Sequence, residues 1–440
     1  VSRQVDRISP GDAVQLATDV GPVPMNVGAL LVLEGTGGVH GDAVVAALGR
    51  RAARVPRLRQ RLVDAPWGLG RPYWVAEPSF DPAAHLAHVR SPDPGDPDAL
   101  LRIATDAVTR PLPRSRPLWR ALVVSGLPEG RVGVVIALHH TLADGIGGLA
   151  LLGDLAGRGT DEDVDPPVPP AVPAPTRRTL AVDSARERLA RLRALPRALA
   201  RVRRGGRELG VARGPGAPRC SLNAPTGRRR RITAVTVDLA PVRDGARRHG
   251  ATVNDALLVA TTGAMDDVLR SRGERLPVLV VSVPVSARRS TTPEDLGNQV
   301  GVMPVRVPLA GPAAGRLEQV AALTRARKAR TRGASASVVG PAFRALAALG
   351  VFRWFVDRQR LVNTFLTNLP GPPQRLTLVG APVLEIVPVT VTAGNVAVAF
   401  AALSYAGRLT VSIVHDPDLV PDPGPLADAL RARLEEVARS

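Results

Sequence analysis

The stretch Arg131–Leu152, RVGVVIALHHTLADGIGGLALL, decides the fold. Its first half is a run of Val, Ile, Ala and Leu ending at Leu138. The run is too continuous for a strand with one wet face, so it reads as a strand buried on both sides. That strand delivers His139 and His140 at its end. Asp144-Gly145 then breaks the chain, and Ile146, Leu149, Leu151 and Leu152 begin a helix. Adjacent side chains on an extended backbone face opposite ways, so one histidine faces a site and the other faces packing. Imidazole accepts a proton from a hydroxyl near neutral pH, which makes the site-facing ring a candidate general base. The two rings diverge and no second ligand cluster accompanies them, so no metal site is expected.

On the N-terminal side, a hairpin through Pro128-Glu129-Gly130 joins this strand to another at Ala121–Val124. Trp119, in Arg116-Pro117-Leu118-Trp119, stands at the start of that partner and reads as a core aromatic. Further out come a helix start at Ile8–Ala13, a strand over Met25–Glu34 and a helix over Gly41–Arg54. Strands are expected over Leu58–Val63 and Trp67–Val75, and a helix over Asp98–Val108.

On the C-terminal side, Gly159–Pro175 is acidic and proline-rich, a linker by composition. Thr179–Leu209 follows, with Leu189, Leu192, Leu195, Leu199 and Val202 at three- and four-residue spacing among many arginines. It reads as a basic amphipathic helix kinked at Pro196. Such a helix either lies on an anionic membrane surface or packs on the protein as a crossover. Strands are then expected at Ile232–Leu239, Val278–Val285 and Val300–Val307, and helices at Pro241–His249, Ala256–Leu269 and Leu317–Lys328. Thr252 or Asn254 caps the second of these helices. A strand over Leu361–Leu366 runs out into Thr367-Asn368. Strands near Val389–Thr392, Val396–Ala402 and Arg408–His415 precede a closing helix, Pro425–Ala438. The order gives an α/β chain of two lobes: residues 1–158, a linker and crossover over 159–230, and residues 231–440. A site between the lobes is the natural location.

At 440 residues with 45% hydrophobic side chains, the chain can bury two sizeable cores. Aromatics are only 3%, which argues against a stacking platform for single-stranded nucleic acid. The net charge of +19 is almost entirely arginine, Lys328 being the only lysine. Together with abundant Ala, Gly and Pro, this reads partly as a bias of the source genome, and no nucleic-acid partner is expected. Cys220 is the only cysteine, which excludes an intramolecular disulfide framework and suits a reducing cytosol. No apolar stretch reaches the length of a membrane-spanning helix, and the N-terminal residues lack an apolar secretory core. A cytoplasmic protein with peripheral membrane association is the resulting expectation.

His139-His140-Thr141-Leu142-Ala143-Asp144-Gly145 matches the HHxxxDG pattern of the CoA-dependent acyltransferase superfamily. The rest of the chain resembles the bacterial wax ester synthase/diacylglycerol acyltransferase family, block after block. The blocks are the opening ISPGDAVQLATDVGPVPMNVGALLVLEG, RPLW at Arg116–Trp119, VNDALLVA at Val253–Ala260, VPVSARR, GNQVGVMPV, TNLPGPP and SYAGRLTVSIVHDPDLVPDP. Departures fall at Gln299, at Thr367-Asn368-Leu369 where Ser-Asn-Val is more usual, and at Gly11 where a bulkier residue is common.

The resemblance implies two chloramphenicol-acetyltransferase-like lobes with mixed sheets and a tunnel through their interface. It makes His140 the general base that takes the proton of an acceptor hydroxyl, with acyl-CoA as co-substrate, no further cofactor and no acyl-enzyme. The chain has no GxSxG elbow, in keeping with direct attack. The acceptor would be diacylglycerol or a long-chain alcohol, met at a membrane or lipid-droplet surface. His139 would support from behind, Asp144 would hold the loop through Arg288, and Gly145 would let the backbone turn close to substrate. Asn254 either bonds to the site or caps its helix. Gln299, Thr367 and Asn368 are candidates for polarising the carbonyl or holding the acceptor, while Asp255 and Trp119 are structural. Two other readings stay open: an O-acyltransferase of secondary metabolism, and a non-enzymatic protein that coats lipid surfaces.

Overall fold

The computed structural model describes residues 5–35, 40–92, 96–142, 145–156, 173–194, 216–286, 300–330 and 336–440. Ser9 caps α1 (Pro10–Thr18) through a reciprocal capping box with Asp12, and Pro10 supplies a preset first turn. Then follow β1 (Asn26–Leu33), α2 (Gly41–Ala52), β2 (Gln60–Val63), β3 (Tyr73–Ala76), β4 (Leu86–Arg90) and α3 (Pro97–Thr109). β5 (Trp119–Ser125), β6 (Val132–His139), α4 (Gly145–Ala156) and α5 (Arg177–Arg193) complete the first half. The second half holds β7 (Arg231–Asp238), α6 (Leu239–Arg248), α7 (Val253–Ser271), β8 (Val278–Ser286), β9 (Val300–Pro308) and α8 (Ala313–Arg330). α9 (Ala336–Ala348), α10 (Phe352–Val356), β10 (Thr364–Pro370), β11 (Thr377–Leu378), β12 (Ala381–Val389), β13 (Val398–Tyr405), β14 (Arg408–His415) and α11 (Gly424–Arg439) finish the chain.

The strands form two six-stranded sheets, ordered β11-β12-β1-β6-β5-β4 and β7-β14-β13-β10-β8-β9, beside a small β2-β3 ribbon. Both large sheets mix parallel and antiparallel pairs: β4 with β5, and β10 with β8 and β13, are parallel. Every residue of β6 is buried, as its unbroken apolar run requires. β1 fits tightly beside it, because a side chain at Gly28 would run into the Ile136 carbonyl 2.2 Å away.

One apolar cluster spans both sheets. It joins Leu100 and Val108 of α3 and Val135 of β6 to Ile232 of β7, Val389 of β12 and Val414 of β14. Each such buried Val or Leu is worth roughly 2 kcal/mol. Exposed ion pairs contribute about 0–1 kcal/mol. The shared core therefore fixes the lobes against each other.

The structure departs from the sequence reading in several places. Strands β11 and β12 lie in the second half of the chain yet belong to the first sheet, where β12 pairs with β1. The lobes thus exchange chain rather than dividing cleanly at one boundary. Pro382 and Pro388 interrupt the apolar pattern of β12, so the strand expected near Val389–Thr392 lies earlier in the chain and ends at Val389. β10 begins at Thr364 and carries Thr367 and Asn368 within it, not beyond its end. A single 3-10 turn, Pro56–Arg59, occupies the start of the strand expected at Leu58. Gly68 and Gly70, both at positive φ, keep Trp67–Gly70 out of β3. The helix expected over Thr179–Leu209 starts at Arg177, capped by Thr176, and is described to Arg193. Residues 195–209 of that expected helix, Pro196 among them, lie outside the described residues. The sequence reading places no element at β4, α9, α10 or β11.

Candidate active site

His139 and His140 stand where β6 ends, and backbone bonds clamp the pair on both sides. The His139 amide donates to Leu118 O at 3.0 Å and the His140 amide to Met25 O at 2.9 Å. The Met25 amide in turn donates to Asp19 Oδ1 at 2.9 Å. The two side chains part as an extended backbone dictates. His139 is buried, and its Nδ1 accepts from the Thr141 amide at 3.2 Å and the Thr141 hydroxyl at 2.7 Å. Its remaining proton is therefore on Nε2, which donates to Asp19 Oδ2 at 3.1 Å. With both nitrogens engaged, His139 is braced and unavailable to a substrate.

His140 points the other way, into a cavity of about 100 Å³ between the two sheets. Val27 and Ala29 of β1, Ile136 and Leu138 of β6, and Gly148, Leu149 and Leu152 of α4 form one wall. Pro388 and Val389 of β12 continue that wall in the same sheet beside β1, and Thr367 and Leu369 of β10 with Ala401 and Leu403 of β13 form the other. Among the described residues, the lining apart from His140, Thr367 and Thr390 is apolar or glycine. The mostly apolar lining suits a hydrocarbon chain better than a polar ligand. A base facing such a space can take a proton from a hydroxyl held there.

The candidate residues divide. The structure brings Thr367 to the cavity with His140, while Asn368 is the next residue on β10 and is absent from its walls. Gly145 opens α4. Asn254 sits in the first turn of α7 but does not cap it; Thr252 does, through a capping box with Asp255. Nor does Asn254 line the cavity. Asp255 is buried and also accepts from the Thr324 hydroxyl at 2.8 Å, tying α7 to α8. Trp119 is buried, donates its indole N–H to Leu58 O at 2.8 Å and stacks on His85 at 4.6 Å. Burial pushes the His85 imidazole below its ordinary pKa, partly offset by its bond to the Trp119 carbonyl. Asp144, Arg288 and Gln299 lie outside the described residues. Asp19 is the residue bonded to the histidine pair that the sequence does not announce, since nothing in the chain ties it to a histidine 120 positions away. Among the described residues no group of three or more His, Cys, Asp or Glu is placed to hold a metal ion.

Residues 8–257 match the wax ester synthase/diacylglycerol acyltransferase catalytic domain, and residues 296–438 match the C-terminal domain of the same family. A probable diacylglycerol O-acyltransferase of Mycobacterium tuberculosis is 33% identical over 432 residues, covering 95% of this chain and 92% of that protein. A second putative diacylglycerol O-acyltransferase of that organism is 30% identical, covering 99% and 96%. Among solved structures, a wax ester synthase/diacylglycerol acyltransferase from Marinobacter aquaeolei superposes with a TM-score of 0.71 at 22% identity, covering 98% of both chains. The first condensation domain of the CDA synthetase superposes with a TM-score of 0.64 at 19% identity, covering 99% and 97%. At these identities the two structures establish a shared fold.

Proposed function

The chain belongs to the wax ester synthase/diacylglycerol acyltransferase family and is an acyltransferase, and we propose that it moves a fatty acyl group from acyl-CoA to the hydroxyl of diacylglycerol or a long-chain alcohol. The observation that carries this reading is the His140 side chain facing an apolar cavity between the lobes. The imidazole of His140 takes the proton of the acceptor hydroxyl. The oxygen attacks the thioester carbonyl carbon, the C–S bond breaks, and the CoA thiolate recovers the proton from the imidazolium. The apolar walls hold hydrocarbon beside the reacting atoms, and Thr367 is the polar group on the facing wall that can bond to an ester or hydroxyl oxygen. Both acceptors partition out of water, so the enzyme works peripherally at a lipid surface from the cytoplasmic side. Among the described residues no helix is long and apolar enough to cross a membrane.

Acceptor profiling tests the reading. Long-chain acyl-CoA is offered with diacylglycerol, a fatty alcohol and a polar alcohol in parallel, and products are separated by mass. Ester is expected with one or both apolar acceptors. Ester formed only on the polar alcohol would instead assign the chain to acylation of a specialised metabolite.

Asp19 acts in this scheme as a positioning residue, through His139 and the Met25 backbone. Asp19→Ala leaves the His139 Nε2–H and the Met25 amide without their acceptor. It is expected to lower kcat about tenfold with KM little changed, because misaimed catalytic groups cost rate more than binding. Asp19→Asn keeps one of the two acceptor oxygens and sets its amide N–H against the other donor, so it is expected to recover only part of the loss. Steady-state kinetics on the three proteins checks this, and equal kcat in all three would remove Asp19 from the account.

A further inference from the structure

Three aromatic rings stand in a row beside the start of β5. Phe80, His85 and Trp119 stack with centroids 5.7 and 4.6 Å apart, and the His85 and Trp119 planes lie 11° from parallel. His85 ends a single 3-10 turn, Pro82–His85, which Asp81 caps by accepting from the Ala83 amide at 2.9 Å. The ring is buried, and it is absent from the walls of the His140 cavity. Phenylalanine would fill the same place in the stack, so the stack alone does not account for a histidine. Its Nδ1 does. That nitrogen lies 2.9 Å from the Trp119 carbonyl, which can only accept, so Nδ1 carries the proton and donates.

Successive carbonyls of an extended chain point to opposite edges. The Trp119 carbonyl turns outward to His85, and the Leu118 carbonyl before it turns inward to β6. There it accepts the His139 amide at 3.0 Å. The Trp119 indole N–H donates to Leu58 O at 2.8 Å and holds the same residue a third way. His85 therefore fixes one carbonyl, and its immediate neighbour clamps the histidine pair.

We infer that His85 is a positioning residue for His140. By holding the Trp119 carbonyl it sets the tilt of the Leu118 carbonyl, and through the His139 amide it sets how β6 presents the His140 ring. The inference rests on the reading of His140 as the base of an acyltransferase and adds a residue outside the cavity on which its aim depends. Backbone hydrogen bonds weaken steeply as they bend, so a freed Trp119 carbonyl lets the clamp on His139 loosen. A displacement of about 1 Å at reacting groups costs up to about a hundredfold in rate. Asp19 braces the histidine pair from the end of α1, and His85 braces it from β5.

Steady-state kinetics and thermal unfolding of two variants separate aim from packing. His85→Phe keeps the stacked ring and loses the Nδ1–H. It is expected to lower kcat about tenfold while KM changes less than about twofold. His85→Asn loses the ring and keeps an N–H where Nδ1 stood. It is expected to unfold at a lower temperature than His85→Phe and yet to turn over faster. A merely structural role would rank the two the other way. His88→Phe is the control, since His88 bonds to Asp42 and to Ser125 at the far end of β5, and its kcat is expected to match the wild type. In a His140→Ala background, His85→Phe is expected to change the residual rate less than about twofold, because no base is left to misaim. Amide exchange supplies a readout that needs no ester. The His139 amide is expected to exchange at least about tenfold faster in His85→Phe than in the wild type, with the amides of β14 unchanged. Full kcat in His85→Phe, an Asn variant slower than the Phe variant, an undiminished loss in the His140→Ala background, or unchanged exchange at His139 would overturn the inference. No ester from the wild type would instead strike the proposed function, and exchange at His139 would still decide the role of His85.

Discussion

Replacing His140 with alanine is expected to lower kcat by about a hundredfold to ten-thousandfold, the range that a positioned general base supplies. No other described residue on the cavity wall can accept a proton at neutral pH, since Thr367 and Thr390 are the only other polar members. KM for acyl-CoA and acceptor is expected to change little, because the apolar walls that hold hydrocarbon remain. The fold is expected to survive, because what clamps this position is the His140 amide bonded to Met25 O, which alanine keeps. His139→Ala makes the informative contrast. It removes a buried ring bonded to Asp19 and Thr141 and is expected to cost stability as well as rate. Steady-state kinetics with thermal unfolding of both variants separates the roles. A His140→Ala enzyme with full kcat would end the general-base assignment.

Gly148→Leu is expected to select against long chains. Gly148 lies on α4 and lines the cavity, and no heavy atom of the described residues lies within 4 Å of where its Cβ would stand. A leucine there extends into a space of only about 100 Å³ without striking a neighbour at its base. The helix gains rather than suffers, since glycine costs about 1 kcal/mol in a helix interior. A single methylene in an apolar pocket discriminates about 10- to 200-fold. The variant is therefore expected to lose about a hundredfold in kcat/KM for long-chain substrates while short chains react nearly as before. Measuring kcat/KM across a series of acyl-CoA and alcohol lengths tests this. A uniform loss at every length would mean that the cavity does not hold the chain.

The parts of this site that were legible in the sequence are the local ones. β6 declared itself because a strand covered on both faces needs an unbroken apolar run, and the split between His139 and His140 follows from strand geometry alone. The start of α7 was legible too, although the sequence ranks Thr252 and Asn254 equally as caps and only the bond to Asp255 selects Thr252. What was not legible is the part of the cavity that β12 supplies. Pro388 and Val389 reach the cavity because β12 crosses to pair with β1, some 360 residues earlier in the chain, as in the register Ala29 to Pro388. No period or cap encodes such a pairing, and its two prolines hid the strand. The Asp19 brace was invisible for the same reason, being a contact of tertiary origin between a helix end and a strand end.

The most direct test of the account follows the acyl group itself. Wild-type protein is mixed with long-chain acyl-CoA and either diacylglycerol or a fatty alcohol, and ester, free CoA and the intact mass of the protein are measured over the same time course. Direct attack assisted by His140 predicts triacylglycerol or wax ester appearing one for one with free CoA while the protein mass stays unchanged. Free CoA released into an acyl adduct on the protein before any ester forms, or no ester with either acceptor, would contradict it.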